Sequence, residues 1–333
     1  MCMKILWLCN VALPAAARQM NLEVSHKEGW LCGIAEEVLK RRKENGIVLS
    51  VAFPIARGAV QASTAGFDTE AGSKMRQELL RDGFCEKEVT WEGASFFCYG
   101  FLEDTSHPEN YDPSLEQILP KIVYKVKPDI IHCFGTEYPH TLAMCKTFAD
   151  KSRLLVGLQG ICTLYAAGYF ADLPEDVIRS VTFRDWLKKD TLIQQQRKFR
   201  LRGEMERDAL LLAGNFTGRT EWDMSFAREW SASSCYYPMN ETLRREFYGS
   251  VWDAKNCEIH SIFLSQGDYP LKGLHYMLAA LPRILARYPD ARVYVAGNSL
   301  VEFRTIKQKL KLSAYGRYLR RLLRRLKIQD KVE

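Results

Sequence analysis

Residues 258–297, EIHSIFLSQGDYPLKGLHYMLAALPRILARYPDARVYVAG, decide the fold of this chain. An apolar, β-rich run at 259–264 is followed by a stretch with Gly and Pro at 267–271. Apolar residues then recur every three or four positions, the pattern of a helix with one buried face; they are Leu274, Met277, Leu278, Leu281, Ile284 and Leu285. A second apolar run follows at 293–296. Strand, helix and strand in this order predict a βαβ unit with parallel strands and a right-handed crossover.

Lys272 and Gly273 stand where this predicted helix opens. Backbone N–H groups at a helix N-terminus have no partner within the helix, and the helix dipole is positive there. A lysine beside them suits a phosphate group. A solvated lysine at the start of a helix is the alternative, and the residues of this segment alone leave both interpretations open.

Length and composition indicate a globular protein of two domains. The chain has 333 residues, 47% hydrophobic and 26% charged, with a net charge of +7. This modest charge allows an anionic partner such as a nucleotide-sugar or a lipid headgroup, and we expect no nucleic-acid partner. The ten cysteines form no C-x-x-C pair, and several, such as Cys9, Cys133 and Cys162, lie in apolar runs. This pattern is typical of a reducing cytoplasm and predicts no metal site.

The first residues allow two interpretations. One lysine, an apolar stretch and an alanine-rich end resemble a weak signal peptide. However, residues 5–9 have the length of a strand, Asn10 and Pro14 interrupt the run, and an amphipathic helix follows. We therefore expect a buried first strand, and no stretch has the length of a membrane span.

The first 250 residues alternate between predicted strands and helices, and we expect an interdomain linker at 248–257. Residues 10–27 are predicted to be a long loop, 59–92 variable surface with one short helix, and 164–174 a lid or acceptor wall. The predicted strands are 4–9, 47–53, 96–102, 130–134, 154–158, 216–220 and 236–238, and the predicted helices are 29–43, 115–126, 186–207, 221–230 and 241–247. This order predicts an α/β fold with a parallel sheet.

Several motifs in order resemble the retaining glycosyltransferases of family 4. The segment after residue 263, FLSQGDYPLKGLHYMLAALPRILARYPDARVYVAG, is similar to the start of that family's second domain. The first half adds MKILWLCN, PDIIHCFGTEYPH, GRTEWD and NETLRREFY. The resemblance implies a GT-B-like fold with two Rossmann-like, doubly wound parallel-sheet domains, here 1–250 on the acceptor side and 251–333 on the donor side. The activity implied is transfer of a sugar from a nucleotide-sugar to a glycan or lipid-linked acceptor in polysaccharide biosynthesis.

The resemblance also implies site residues. Lys272 would contact the donor diphosphate, with Gln266 and the backbone of Gly267 beside it; the family usually has an arginine where this chain has Gly267. Gly29 matches a family glycine near the first helix, where the backbone approaches the donor phosphate. Gln159 stands where many relatives have a histidine, and a glutamine can hydrogen-bond a sugar hydroxyl but is no proton shuttle near neutral pH. The donor is a substrate, so no cofactor is expected.

The residues themselves suggest four further candidates, three of them with a structural alternative. Trp30 could stack on a sugar ring or belong to the core. Glu137 faces the mouth of the predicted sheet, where a carboxylate at a helix N-terminus is also expected on structural grounds alone. His140 follows Pro139 at a helix start and is a further catalytic candidate. Arg219, at a strand end, could bind a phosphate or form a structural salt bridge.

The tail gives rise to a second functional hypothesis. Relatives continue beyond this point with a Glu-x7-Glu segment that grips the donor, so we expect the second domain here to be incomplete, as a fragment or a truncation. A basic, amphipathic helix at 312–327 could lie on an anionic membrane or pack into the core with a solvated basic face. The alternative to an enzyme at the inner membrane surface is therefore a non-catalytic accessory protein. A nicotinamide-dependent oxidoreductase is disfavoured because no G-x-G-x-x-G follows a strand.

Overall fold

A computed structural model describes residues 2–25, 29–61, 69–243, 245–249, 251–297 and 310–333. The chain forms two compact units, the first made of Met1–Thr163 and Leu201–Ser250 and the second of Leu164–Arg200 and Val251–Glu333. The division into domains at 1–250 and 251–333 stays a prediction. Within the described residues, no helix is both long enough and apolar enough to cross a membrane.

The strands and helices alternate along most of the chain. The strands are β1 (Met3–Leu8), β2 (Ile47–Ala56), β3 (Phe84–Trp91), β4 (Ala94–Glu103), β5 (Ile130–Phe134), β6 (Leu154–Gly157), β7 (Asn215–Gly218), β8 (Cys235–Pro238), β9 (Ser261–Leu264) and β10 (Arg292–Val295). The helices are α1 (Pro14–Gln19), α2 (Gly29–Arg41), α3 (Arg57–Gln61), α4 (Glu70–Asp82), α5 (Leu115–Val126), α6 (Pro139–Thr147), α7 (Cys162–Ala167), α8 (Glu175–Ile178), α9 (Phe183–Lys188), α10 (Leu192–Leu212), α11 (Glu221–Trp230), α12 (Leu274–Arg287) and α13 (Ala314–Leu326).

The first unit is built on an eight-stranded sheet in the order β3-β4-β2-β1-β5-β6-β7-β8. All neighbouring strands are parallel except β3, which pairs antiparallel with β4. The chain builds the sheet outward from β1 in both directions, so the strand order reverses between β1 and β5. The predicted α/β fold class with a doubly wound, parallel sheet is confirmed, and Cys9, Cys133 and Cys162 are buried as their apolar surroundings predict.

Pro54 does not end β2, contrary to the prediction from its sequence. Pairing of β2 with β1 stops at Ala52, whereas its pairing with β4 continues to Ala56. A proline cannot donate a backbone hydrogen bond and is tolerated where one side of a strand has no partner. Beyond Ala52 only β4 remains beside β2, so the missing N–H of Pro54 breaks no ladder with β1.

Four other segments differ from their predictions. Residues 59–92 hold α4 and the edge strand β3 in place of variable surface, with residues 62–68 outside the described part, and α1 lies in the predicted loop 10–27. The predicted helix 186–207 is two helices, because Lys189 adopts a left-handed conformation (φ 49°) that ends α9. The predicted helix 241–247 is a single 3-10 turn at Arg245–Phe247, with residue 244 outside the described part.

The second unit contains the predicted βαβ segment of residues 258–297. Strands β9 and β10 pair in parallel, with Ser261 opposite Arg292, and α12 connects them. Val332 forms a further parallel bridge to Val293. Leu319, Leu322 and Leu323 of α13 are buried with α12 in one core, so the core-packed interpretation of the tail helix is confirmed.

Candidate functional site

The reversal of strand order places a crevice at the carboxyl ends of β1 and β5, where open parallel sheets bind ligands. The turn after β5 is built around Gly135, which has a φ of +95°. A Cβ at this position would lie 2.6 Å from the ring of Tyr138. The turn is held by Thr141, whose hydroxyl donates to the carbonyl of Gly135 at 2.7 Å. A glycine is therefore required here, and Glu137 and Tyr138 are held in place beyond it.

Glu137, one of the predicted catalytic residues, is buried beside this crevice. The Nη2 atom of Arg202, on α10, lies 3.3 Å from its Oε1 atom. The Arg202 guanidinium also lies 5.3 Å from the ring of Tyr138, and the Tyr138 hydroxyl accepts a hydrogen bond from Asn10 at 2.9 Å. The ion pair with Arg202 thus holds the Glu137 carboxylate in place within the first unit. A role of Glu137 in catalysis stays a prediction.

Glu206 is the main residue of this region that sequence reasoning missed. It is fully buried, and its Oε2 atom accepts hydrogen bonds from the Thr136 hydroxyl at 3.0 Å and the Cys162 N–H at 3.2 Å. Burial, and next the negative charge of Glu137, raise the pKa of Glu206 to about 7, although these hydrogen bonds lower it. Its protonation therefore changes close to neutral pH, unlike that of an ordinary glutamate.

His140 is fully buried at the first turn of α6. Its Nδ1 atom lies 3.0 Å from Glu103 Oε2, at the end of β4, and its ring stacks on Tyr138 with the centroids 5.3 Å apart. Within the described part of the chain, His140 Nε2 is buried and has no hydrogen-bond partner. The contact between His140 and Glu103 links the start of α6 to the end of β4. The catalytic role of His140 stays a prediction.

Gln159 and Arg219 lie together at the ends of β6 and β7. The Arg219 guanidinium donates to the Gln159 carbonyl at 2.8 Å and forms an ion pair with Glu241 at 2.9 Å. The Gln159 Nε2 atom is buried and, among the described residues, has no acceptor. The structural salt bridge considered for Arg219 is therefore present, and the role of Gln159 as a donor to a sugar hydroxyl stays a prediction.

Gly29 and Trp30 begin α2, which lies between β1 and β2 in the chain. The Trp30 ring packs against Phe134 with the centroids 5.6 Å apart, and its carbonyl accepts a hydrogen bond from Thr242 at 2.8 Å. The Trp30 side chain is thus partly buried and packs against the hydrophobic core of the first unit. A Cβ on Gly33, the next glycine of α2, would lie 2.3 Å from Thr242 Oγ1 and 2.8 Å from the carbonyl oxygen of Leu243, so close packing explains this glycine.

In the second unit, Lys272, Gln266 and Gly267 lie between β9 and α12. Gly273 adopts a left-handed conformation (φ 76°) and caps the N-terminus of α12. Lys272 is exposed, and its Nζ atom lies 5.5 Å from the centre of the Tyr269 ring. No carboxylate of the described residues lies within 4 Å of this lysine. A cation without an acidic partner at a helix N-terminus can bind an anion.

Gly267 is buried and cannot carry a side chain without displacement of its neighbours. A Cβ there would lie 2.7 Å from Leu274 Cδ2 and 3.0 Å from Val295 Cγ1. The close approach of β10 and α12 therefore explains the glycine, and this position supplies no cation. Gln266, beside it, is exposed.

The chemistry available is hydrogen bonding and charge neutralisation. Among the described residues, no three side chains of His, Cys, Asp or Glu come together as metal ligands would. The first unit gathers Glu137 and His140 around the turn after β5, and separately joins Gln159 to Arg219. The second unit gathers Lys272, Gln266 and Gly267. The signal for Arg202 and Glu206, four residues apart on one helix, was hidden among the many other charged residues of α10.

No family model matches this chain, and no curated protein matches it. Among solved structures, it is similar to UDP-GlcNAc 2-epimerase from Neisseria meningitidis bound to UDP-GlcNAc, with 11% identity, 93% of this chain and 68% of that chain covered, and a TM-score of 0.41. It is also similar to α,α-trehalose 6-phosphate synthase from Burkholderia multivorans, with 11% identity, 98% and 70% covered, and a TM-score of 0.46. A third is Phytolacca americana UGT2 complexed with UDP-2-fluoro-glucose and pterostilbene, with 11% identity, 99% and 70% covered, and a TM-score of 0.39. Identities of 11% and TM-scores below 0.5 carry no argument about the ligand or the activity of this chain.

Proposed function

We propose that this chain is a glycosyltransferase that moves a sugar from a nucleotide-sugar to a glycan or lipid-linked acceptor with retention of configuration. The observation that carries the proposal is Lys272, which is exposed, has no carboxylate within 4 Å among the described residues, and ends the 3-10 turn Pro270–Lys272 just before α12. Sugar transfer needs a cation and N–H groups to stabilise negative charge on the leaving diphosphate. The order of motifs that resembles family 4 supports the retaining mechanism and a role in surface polysaccharide synthesis, and the scattered cysteines support a cytoplasmic location.

In this account the second unit binds the donor and the first unit the acceptor. Lys272 and the first N–H groups of α12 hold the diphosphate, and the exposed amide of Gln266 lies beside them. In the first unit, the buried amide of Gln159 offers a hydrogen bond to a sugar hydroxyl, and Arg219 fixes the backbone that carries it. Glu137 and Tyr138 form the wall of the crevice after β5. Positioning of two bound reactants supplies much of the rate enhancement.

The Lys272→Ala variant tests the donor site. We expect the affinity for a nucleoside diphosphate to fall about tenfold or more, because a hydrogen bond to a charged group contributes roughly 1.5–3 kcal/mol. The measurement is calorimetric titration of UDP, GDP and ADP and of their sugars into wild type and variant. Lys255→Ala, which removes an exposed lysine of the same unit, is the matched control and should bind as wild type does. Equal affinity of Lys272→Ala and wild type would contradict the phosphate role.

A non-catalytic accessory protein is the second candidate. Two positions favour it: Gly267, where packing leaves no room for the arginine usual in the family, and Gln159, which cannot shuttle a proton as the family histidine can. An accessory protein would bind its partner or a membrane without sugar transfer. Sugar transfer by the purified chain would refute this candidate.

A further inference from the structure

The second unit exposes an apolar cluster on and beside α9. Val181, Phe183, Trp186 and Leu187 are 53%, 56%, 67% and 65% exposed, although they lie within seven consecutive residues. The rings of Phe183 and Trp186 lie 6.1 Å apart. Single exposed apolar side chains are ordinary, but a contiguous group of large ones marks a surface that contacts something other than water.

Helix α9 is firmly attached to the N-terminus of α13. The carboxylate of Asp185 is buried, and its Oδ2 atom accepts the N–H of Ala314, the first residue of α13, at 2.9 Å. The same carboxylate completes a capping box with Thr182 at the start of α9. The Arg317 guanidinium also donates to the carbonyl of Val181 at 3.4 Å. The apolar cluster and α13 therefore form one continuous surface, here called the α9–α13 surface.

The outer face of α13 is strongly basic. Its exposed cations are Arg321, Arg324, Arg325 and Lys327, and Arg320 is partly exposed. In the part of the chain that the structure describes, no carboxylate lies within 4 Å of any of these five side chains. Of the helices that pack against α13, α8 carries Glu175 and Asp176, and Glu175 already pairs with Arg179 at 2.5 Å.

The positions of these cations connect the charge to the apolar cluster. Arg317, Arg321 and Arg324 are four and three residues apart, so they lie along one face of the helix. Arg317 is the residue that contacts Val181. A basic stripe therefore starts at the apolar cluster and runs along α13. Leu319, Leu322 and Leu323 of α13 are buried in the core, so the face of the helix that is most exposed is the charged one.

We propose that the α9–α13 surface docks this chain on an anionic lipid bilayer, with Trp186, Phe183 and Leu187 in the interface and the arginines of α13 on lipid phosphates. Tryptophan and phenylalanine favour the boundary between headgroups and acyl chains. Basic side chains near an anionic membrane each contribute to attraction. The five cations of α13 that have no carboxylate partner among the described residues complement the charge of anionic lipid phosphates. This proposal is independent of sugar transfer.

Vesicle co-sedimentation of the full chain tests the proposal. We expect binding to vesicles of phosphatidylcholine mixed equally with phosphatidylglycerol, and little binding to phosphatidylcholine alone. The affinity of the double variant Arg321→Gln/Arg324→Gln for the mixed vesicles should be lower than that of wild type by about tenfold or more. Arg283→Gln/Arg287→Gln, which removes two exposed arginines of α12 in the same unit, is the matched control and should bind as wild type does.

The apolar part of the surface has its own variant. We expect Trp186→Ala to weaken binding to the mixed vesicles about tenfold, since burial of a large aromatic side chain is lost. Trp222→Ala removes a tryptophan that is 66% exposed in the first unit, and should leave binding unchanged. Sedimentation without vesicles controls for aggregation. Failure of wild type to bind the mixed vesicles, as expected if the partner is a protein, would overturn the proposal, and so would full binding by Trp186→Ala.

Discussion

The Leu319→Ala variant is expected to lower the free energy of unfolding of the second unit by about 2–5 kcal/mol. Leu319 is fully buried on α13 and packs in the core that also contains Leu278 and Leu281 of α12. Removal of a buried leucine loses its burial energy and leaves a cavity that the surroundings fill only in part. The measurement is hydrogen exchange, at increasing urea concentration, of peptides from α12 and α13.

The matched control makes the same substitution on the surface of the same unit. Leu187 is 65% exposed on α9, so Leu187→Ala should change the free energy of unfolding by less than about 0.5 kcal/mol. A similar small effect for Leu319→Ala would mean that the leucines of α13 are not in a packed core. The helix would then be able to present its apolar face to a membrane, and the proposed role of α9 would be unnecessary.

Replacement of Glu206 by glutamine is expected to change how stability depends on pH. The folded chain raises the pKa of Glu206 from 4.5 to about 7, by burial first and then by the charge of Glu137. Between these values the folded state binds a proton that the unfolded state has released, so wild-type stability falls as pH rises through this window. The loss amounts to about 3 kcal/mol, since one pKa unit corresponds to about 1.4 kcal/mol. Glutamine has no proton to lose, so the variant does not show this part of the decline.

The measurement is urea unfolding of both proteins at several values between about pH 4 and about pH 8. The free energy of unfolding of Glu206→Gln, minus that of wild type, should rise by about 3 kcal/mol across the range. Taking the difference cancels the groups that titrate alike in both proteins. Glu204→Gln removes an exposed carboxylate from the same helix and controls for net charge. A constant difference across the range would show that Glu206 titrates alike in the folded and unfolded chain.

Strong periodicity with clear end signals gave the most accurate predictions from the sequence. The bounds of α5, β5 and α11 agree with prediction. An apolar stripe defines α5, Pro128 separates it from β5, and Thr220 and Asp223 form a capping box at the start of α11. These signals lie within short stretches of sequence, so they can be recognised without knowledge of the rest of the fold.

Edge position explains why β3 was missed. Its sequence, FCEKEVTW, is largely polar because the strand pairs on one side only, and charged side chains protect such an edge from other strands. The α1 helix was missed because it is short and made mostly of small residues, PAAARQ, with no apolar stripe to recognise. In both cases the tertiary neighbours of the segment determine its structure.

The strand-end positions of the candidate residues were predictable from the sequence, and the contacts that they make were less so. Turns at the carboxyl ends of parallel strands pointed to Glu137, Gln159 and Arg219, and the structure places each at such an end. Glu206 lies in the middle of a helix and reaches this region only through the packing of α10. Its partners, Thr136 and Cys162, are 70 and 44 residues away in sequence. A contact between residues this far apart leaves no pattern in the local sequence from which it could be predicted.

The most direct test of sugar transfer uses the purified chain, a panel of labelled nucleotide-sugars, and glycan and lipid extracts as acceptors. The account predicts that label from at least one donor appears in an acceptor fraction, with an equal amount of nucleoside diphosphate released. Lys272→Ala should reduce this transfer, whereas Lys255→Ala should not. Binding of a nucleotide-sugar without transfer of its sugar to any acceptor would contradict the enzyme and favour the accessory protein.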